Sequence, residues 1–139
     1  FGEFSEYIYE LENLNTFFDI ISIQETWQVP YPDLFTLTGF QKLVGRLRSN
    51  SRGGGICFFI RQGLKYKIID QFSIFSEHCF ESLCVEIEYP TGKKINFISL
   101  YRPRGNHPSL SQTNQLIEFL DIFSNLTSAI ANLNSDFLS

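Results

Sequence analysis

Apolar residues recur along this chain with two different periods. Phe4, Tyr7, Ile8, Leu11 and Leu14 repeat at helical spacing while Glu3, Glu6, Glu10 and Glu12 fall mostly off that stripe, which predicts an amphipathic opening helix. Asp19 to Ile23 then reads as a short buried strand, and Pro30 and Pro32 turn the chain into a loop. Further on, "GGGICFFIR" is a continuous apolar run, Ile56 to Arg61, entered through glycines, and "LKYKIIDQF" starts with an alternation. In "ESLCVEIEY" the alternation is clean: Leu83, Val85 and Ile87 on one face, Cys84, Glu86 and Glu88 on the other. "KINFISLYR" puts Ile95, Phe97 and Ser99 on one side and Asn96, Ile98 and Leu100 on the other, and the Thr91-Gly92 turn between the two runs predicts a hairpin. After a loop rich in proline, Ser109 or Ser111 caps a second helix with Leu116, Phe119, Leu120, Phe123, Leu126 and Ile130 as its buried stripe. "NLNSDFLS" reads as a loop entering another strand. Helix, strands, helix is an α/β pattern, and the hairpin argues for antiparallel pairs within mixed sheets.

Composition changes the picture in several ways. With 139 residues, 43% of them hydrophobic and 15 of them Phe, the chain has one-domain length and enough apolar mass for a core. Its 19% charged residues lie below the roughly 25% of an average globular protein, so this is not a disordered or heavily solvated sequence. No uninterrupted apolar run approaches the roughly 18 residues of a bilayer span and no signal peptide opens the chain, which reads as soluble and not membrane-bound. The absence of Met predicts a processed piece or a fragment. Cys57, Cys79 and Cys84 are an odd number without metal-ligand spacing; they read as buried free thiols and point to a reducing, intracellular compartment.

Charge is distributed unevenly. All 11 basic residues lie between Lys42 and Arg104, and Leu34 to Ile69 holds seven of them without a single acid. A phosphate-bearing partner is therefore expected at the middle of the chain. Glu25 stands where the first strand ends, a position from which α/β folds present side chains to ligands, and a carboxylate there suits a hard cation such as Mg²⁺. Trp27 beside it reads as core packing or as a lid on the site. Tyr101 closes the last strand, followed by Arg102 and Arg104, guanidiniums suited to a phosphodiester. The glycines after Arg52 lack the Lys-Ser/Thr of a P-loop and precede a strand, so they read as a tight strand entry. His78 and His107 have no acid and nucleophile around them to make a hydrolytic triad.

Taken in order, "IISIQETW", "RGGGICFFI", "ESLCVEIEY" and "INFISLYRP" resemble the endonuclease/exonuclease/phosphatase superfamily, and most of all the endonuclease domain of non-LTR retrotransposons. The resemblance runs over nearly the whole chain. It implies a partial two-sheet α/β sandwich with helices on the outside. Glu25 would be the metal ligand and a catalytic residue, Tyr101 the catalytic tyrosine on the scissile phosphate, and Arg52, Arg102 and Arg104 phosphate or DNA contacts. Mg²⁺ or Mn²⁺ would be the cofactor of a complete domain that nicks DNA to prime reverse transcription, linked to a reverse transcriptase and working in the nucleus. The family's first-strand Asn, its Gly-Asp-x-Asn motif and its Ser-Asp-His motif are absent here. The chain is thus expected to be a fragment, inactive by itself, with exposed apolar sheet edges that favour aggregation. Two other readings stand beside this one: a decayed, non-catalytic binding module, and a phosphatase of the same superfamily.

Overall fold

A computed structural model of the chain describes residues 2–24, 36–41, 44–46, 55–103 and 107–138. Helix α1 (Gly2–Asn13) leads into β1 (Ile20–Gln24), followed by β2 (Val44–Arg46), β3 (Ile56–Ile60), β4 (Lys65–Ile68), β5 (Phe75–Ser76), β6 (Phe80–Glu88), β7 (Lys94–Tyr101) and α2 (Gln112–Leu138). Two sheets result. One has the order β1-β3-β2; in the other β6 is central, with β7 along one side and β4 and β5 along the other. Every strand pairing among the described residues is antiparallel, so the mixed sheets expected from the sequence are not seen there.

Side-chain alternation explains the layering. On β3 the even residues Ile56, Phe58 and Ile60 face Leu83, Val85 and Ile87 of β6 and form the core between the sheets, joined by Val44 and edged by Ile20 and Phe97. Phe59 faces the other way with Phe40, Leu37 and Ile8 of α1. Covered on both sides, β3 is buried along its full length, which is why it reads as an unbroken apolar run. The even face of β6 and β7, with Phe80, Cys84, Ile98 and Leu100, packs beneath Leu126, Phe119 and Ile122 of α2. Helix, sheet, sheet and helix therefore stack in that order.

The β6–β7 hairpin pairs Glu81 with Tyr101 at one end and Glu88 with Lys94 at the other. Its turn is closed by Gly92 N–H to Tyr89 O and Tyr89 N–H to Lys93 O, both 2.8 Å, as the Thr-Gly signal predicts. Arg61 fastens the end of β3 to α1: its Nε donates to Phe18 O at 2.6 Å, its Nη2 pairs with Glu12 at 3.0 Å, and its guanidinium lies 4.7 Å from the Phe40 ring centre.

Four expectations need correcting. β1 runs Ile20–Gln24 and is a half-buried edge strand, because its described partner is β3 alone and its inward face carries Ser22 and Gln24. On α1, Phe4 and Ile8 pack inward, while Tyr7 (58% exposed) and Leu14 (75%) face out. On α2 the inward line is Gln115, Phe119, Ile122, Leu126 and Ile130, so Phe119, Leu126 and Ile130 of the expected stripe pack inward while Leu116, Leu120 and Phe123 are exposed. Gln115 goes inward because its side-chain amide donates to His78 O at the β5–β6 turn. Finally, residues 131–138 continue α2, with no glycine or proline to stop them. Within α2, Gln112–Leu133 has the length and the mean hydropathy, 1.2, of a membrane-crossing helix, although its inward line packs on the outer face of the second sheet.

Candidate functional site

Among the described residues β1 and β7 are edge strands of the two sheets, and they lie side by side. Ser22 Oγ donates to Ser99 Oγ at 2.9 Å, and Gln24 Nε2 donates both to Ser99 Oγ (3.0 Å) and to Leu100 O (2.6 Å). These bonds follow from the pleat: Ser22 and Gln24 share the inward face of β1 with Ile20, and Ser99 shares the inward face of β7 with Phe97. The residue before Glu25 is therefore hydrogen-bonded to the residue before Tyr101. Beside this link lies a cleft of about 310 Å³ with Phe58 and Phe97 among its apolar walls and Ser22, Gln24 and Ser99 as its polar ones.

Tyr101 is half-buried and packs its ring against the inter-sheet core. Arg102, one residue on, takes the opposite face of the strand: its guanidinium lies 5.6 Å from the ring centre of Phe119 on α2. Tyr101 and Arg102 thus leave the strand on different sides, and Pro103 follows in a buried position. Glu25, Trp27, Arg52 and Arg104 lie outside the described residues. Of the glycine entry expected before β3, Gly53 and Gly54 lie outside the described residues; Gly55 is buried, and its N–H donates to Glu81 Oε2 at 2.9 Å.

Other reactive side chains are tied into structure. Burial pushes the Cys57 thiol up to about 12 and, with help from the Glu86 charge, Cys84 to about 11; Cys79 is raised by burial and by Glu118. All three are buried free thiols, as the sequence predicts. The His78 and His107 rings meet edge to face at 5.9 Å. His107 Nδ1 accepts the N–H groups of Ser109 and Leu110, each at 3.0 Å, and lies 3.2 Å from Ser109 Oγ. That nitrogen caps the turn into α2. The helix itself is capped by Ser111 Oγ, which accepts Asn114 N–H at 3.1 Å. Among the described residues no three His, Cys, Asp or Glu side chains are grouped to hold a metal ion.

Three polar residues of this rim escape a reading by residue type: Gln24, Ser99 and Glu81. Their signal is one of parity. Ser99 interrupts the apolar alternation of β7, and Glu81 shares the inward parity of Leu83, Val85 and Ile87. A polar side chain on a core face needs a partner, and each of these has one across the sheets.

No family model, curated protein or solved structure matches this chain.

Proposed function

We propose that this chain is part of a metal-dependent DNA endonuclease domain of the non-LTR retrotransposon kind. The motif order supports the family, and one observation supports the site: the Gln24 amide is bound to Ser99 and Leu100, so β1, which ends one residue before Glu25 in the sequence, and β7, which ends at Tyr101, finish at one rim. The Tyr101 phenol, held by its half-buried ring, would donate to a non-bridging phosphate oxygen of a phosphodiester while water attacks in line. Arg102, on the α2 side, would meet a neighbouring phosphate of the strand. Mg²⁺ or Mn²⁺ would supply charge neutralisation at phosphorus. The described residues do not by themselves make a cation site, so the metal depends on Glu25 and on ligands that this chain's motifs do not include. In this reading the intact protein carries a reverse transcriptase and acts on nuclear DNA.

Two measurements test the reading. Incubation with supercoiled plasmid and Mg²⁺ is expected to give no nicking by this chain alone; robust cleavage that disappears in Glu25→Ala would overturn the expected inactivity. Titration with Mn²⁺ is expected to broaden the NMR signals of Gln24 and Tyr101 before those of β4, and Glu25→Gln to remove that selectivity. Uniform broadening in both proteins would sink the proposed site.

A further inference from the structure

Glu81 is only 3% exposed, and a carboxylate removed from water is costly unless donors replace its hydration. Its Oε2 accepts the backbone N–H of Gly55 at 2.9 Å. The bond crosses from one sheet to the other. On β6, Glu81 faces the core between the sheets, and its ladder partner on β7 is Tyr101. Gly55 stands one residue ahead of Ile56, whose ladder partner on β1 is Gln24. The rim around Tyr101 is therefore tied at two places, by Gln24 to the end of β7 and by Glu81 to the start of β3.

We propose that Glu81 is a positioning residue of the candidate site, a carboxylate cross-tie that sets the spacing between the entry of β3 and the strand end bearing Tyr101. A packed apolar pair would hold two sheets together without the desolvation cost; what the carboxylate adds is direction, because it binds one particular amide. The site it would serve, a phosphodiester contact at Tyr101, rests on the endonuclease reading. Its electrostatic sign makes the idea sharp. A negative charge beside a phosphate site opposes DNA, so removing Glu81 should strengthen binding if charge alone mattered and weaken it if positioning does.

The experiment uses Glu81→Gln and Glu81→Leu in this chain. Amide exchange at Gly55 is expected to rise several-fold in Glu81→Gln, where a neutral amide oxygen replaces the carboxylate, and about tenfold or more in Glu81→Leu. Amides inside β3 and β6 should not change in Glu81→Gln, whereas the Tyr101 ring resonances should move in both variants. At fixed low salt, Glu81→Leu is expected to bind duplex DNA about fivefold more weakly although the chain becomes less negative, and Glu81→Gln to bind as well as the parent protein. Unmoved Gly55 exchange and Tyr101 resonances in Glu81→Gln, a variant that keeps the side-chain shape, would overturn the proposal even if Glu81→Leu fails to fold. Tighter DNA binding by a folded Glu81→Leu would overturn it too. Should the parent protein not bind duplex DNA at all, the endonuclease reading fails, and exchange at Gly55 with the Tyr101 shift still decides the role of Glu81.

Discussion

Gly45→Ala is expected to cost on the order of 3 kcal/mol or more, a large fraction of the stability of a small domain. Gly45 lies opposite Cys57 in the β2–β3 ladder, and a methyl group there would come within 2.4 Å of Ile56 O and 2.6 Å of Cys57 Cα. Both are backbone atoms of the most buried strand, so neither has room to yield. Relief would require β2 to part from β3, which takes Val44 out of the inter-sheet core. Gly63 provides the control. Its φ is +91° but nothing lies within 4 Å of a Cβ built there, so Gly63→Ala should cost only about 1 kcal/mol, the price of a left-handed backbone. Urea unfolding of the two variants checks this; equal midpoints would show that the close approach at Gly45 does not hold in solution.

Alkaline pH is expected to produce a loss of similar size without any mutation. Cys57 and Cys84 ionise near 9 in the unfolded chain, but burial holds them up to about 12 and about 11 in the fold. A raised folded value means that their contribution is fully present below pH 9 and is lost as pH climbs toward the folded values. Each thiol then removes about 1.4 kcal/mol per pH unit, so the pair removes on the order of 5 kcal/mol between pH 9 and 11. Cys79 and Tyr89, also raised, act in the same direction. Urea midpoints measured from pH 8 to 10.5 should fall steeply in the parent protein and less steeply in Cys57→Ala and Cys84→Ala, despite their lower stability at pH 8. Identical slopes would assign the alkaline loss to other groups.

Much of this architecture can be read from alternation alone. The inward set Leu83, Val85 and Ile87, the hairpin at Thr91-Gly92 and the fully buried run Ile56–Ile60 all appear where the pattern puts them, because a pleated strand offers only two faces and the core takes one of them. Helices are less legible here. Apolar residues occupy more than half the circumference of α2, so several stripes compete, and the side that faces the sheet is the one where Phe119, Ile122 and Leu126 meet Phe80 and Cys84 and where Gln115 reaches His78 O. Strand order also escapes the pattern. β1 reads as a core strand by composition, yet among the described residues it lies at an edge, since which neighbours it has is a property of the whole topology. The candidate site divides in the same way. Tyr101 is visible in the sequence as the residue closing its strand, whereas Gln24 falls one residue beyond the strand read there, and its bonds to Ser99 and Leu100 span 75 and 76 residues. Arg102 shows the limit of reading by proximity: neighbours in a strand point apart, and its guanidinium goes to Phe119.

The short turn of the β6–β7 hairpin bears on the order of assembly. Five residues, Tyr89 to Lys93, connect those strands, whereas 31 residues separate Gln24 from its ladder partner Ile56. Chain entropy makes the longer closure dearer by about 1.5 kcal/mol, so the hairpin should nucleate first and β1 should dock late. Val85→Ala is then expected to slow refolding, while Ile21→Ala accelerates unfolding instead, a division that stopped-flow chevrons resolve and that equal effects on both limbs would refute. The rim where Gln24 meets Ser99 and Leu100 would then close only after the hairpin exists, as a late event of folding.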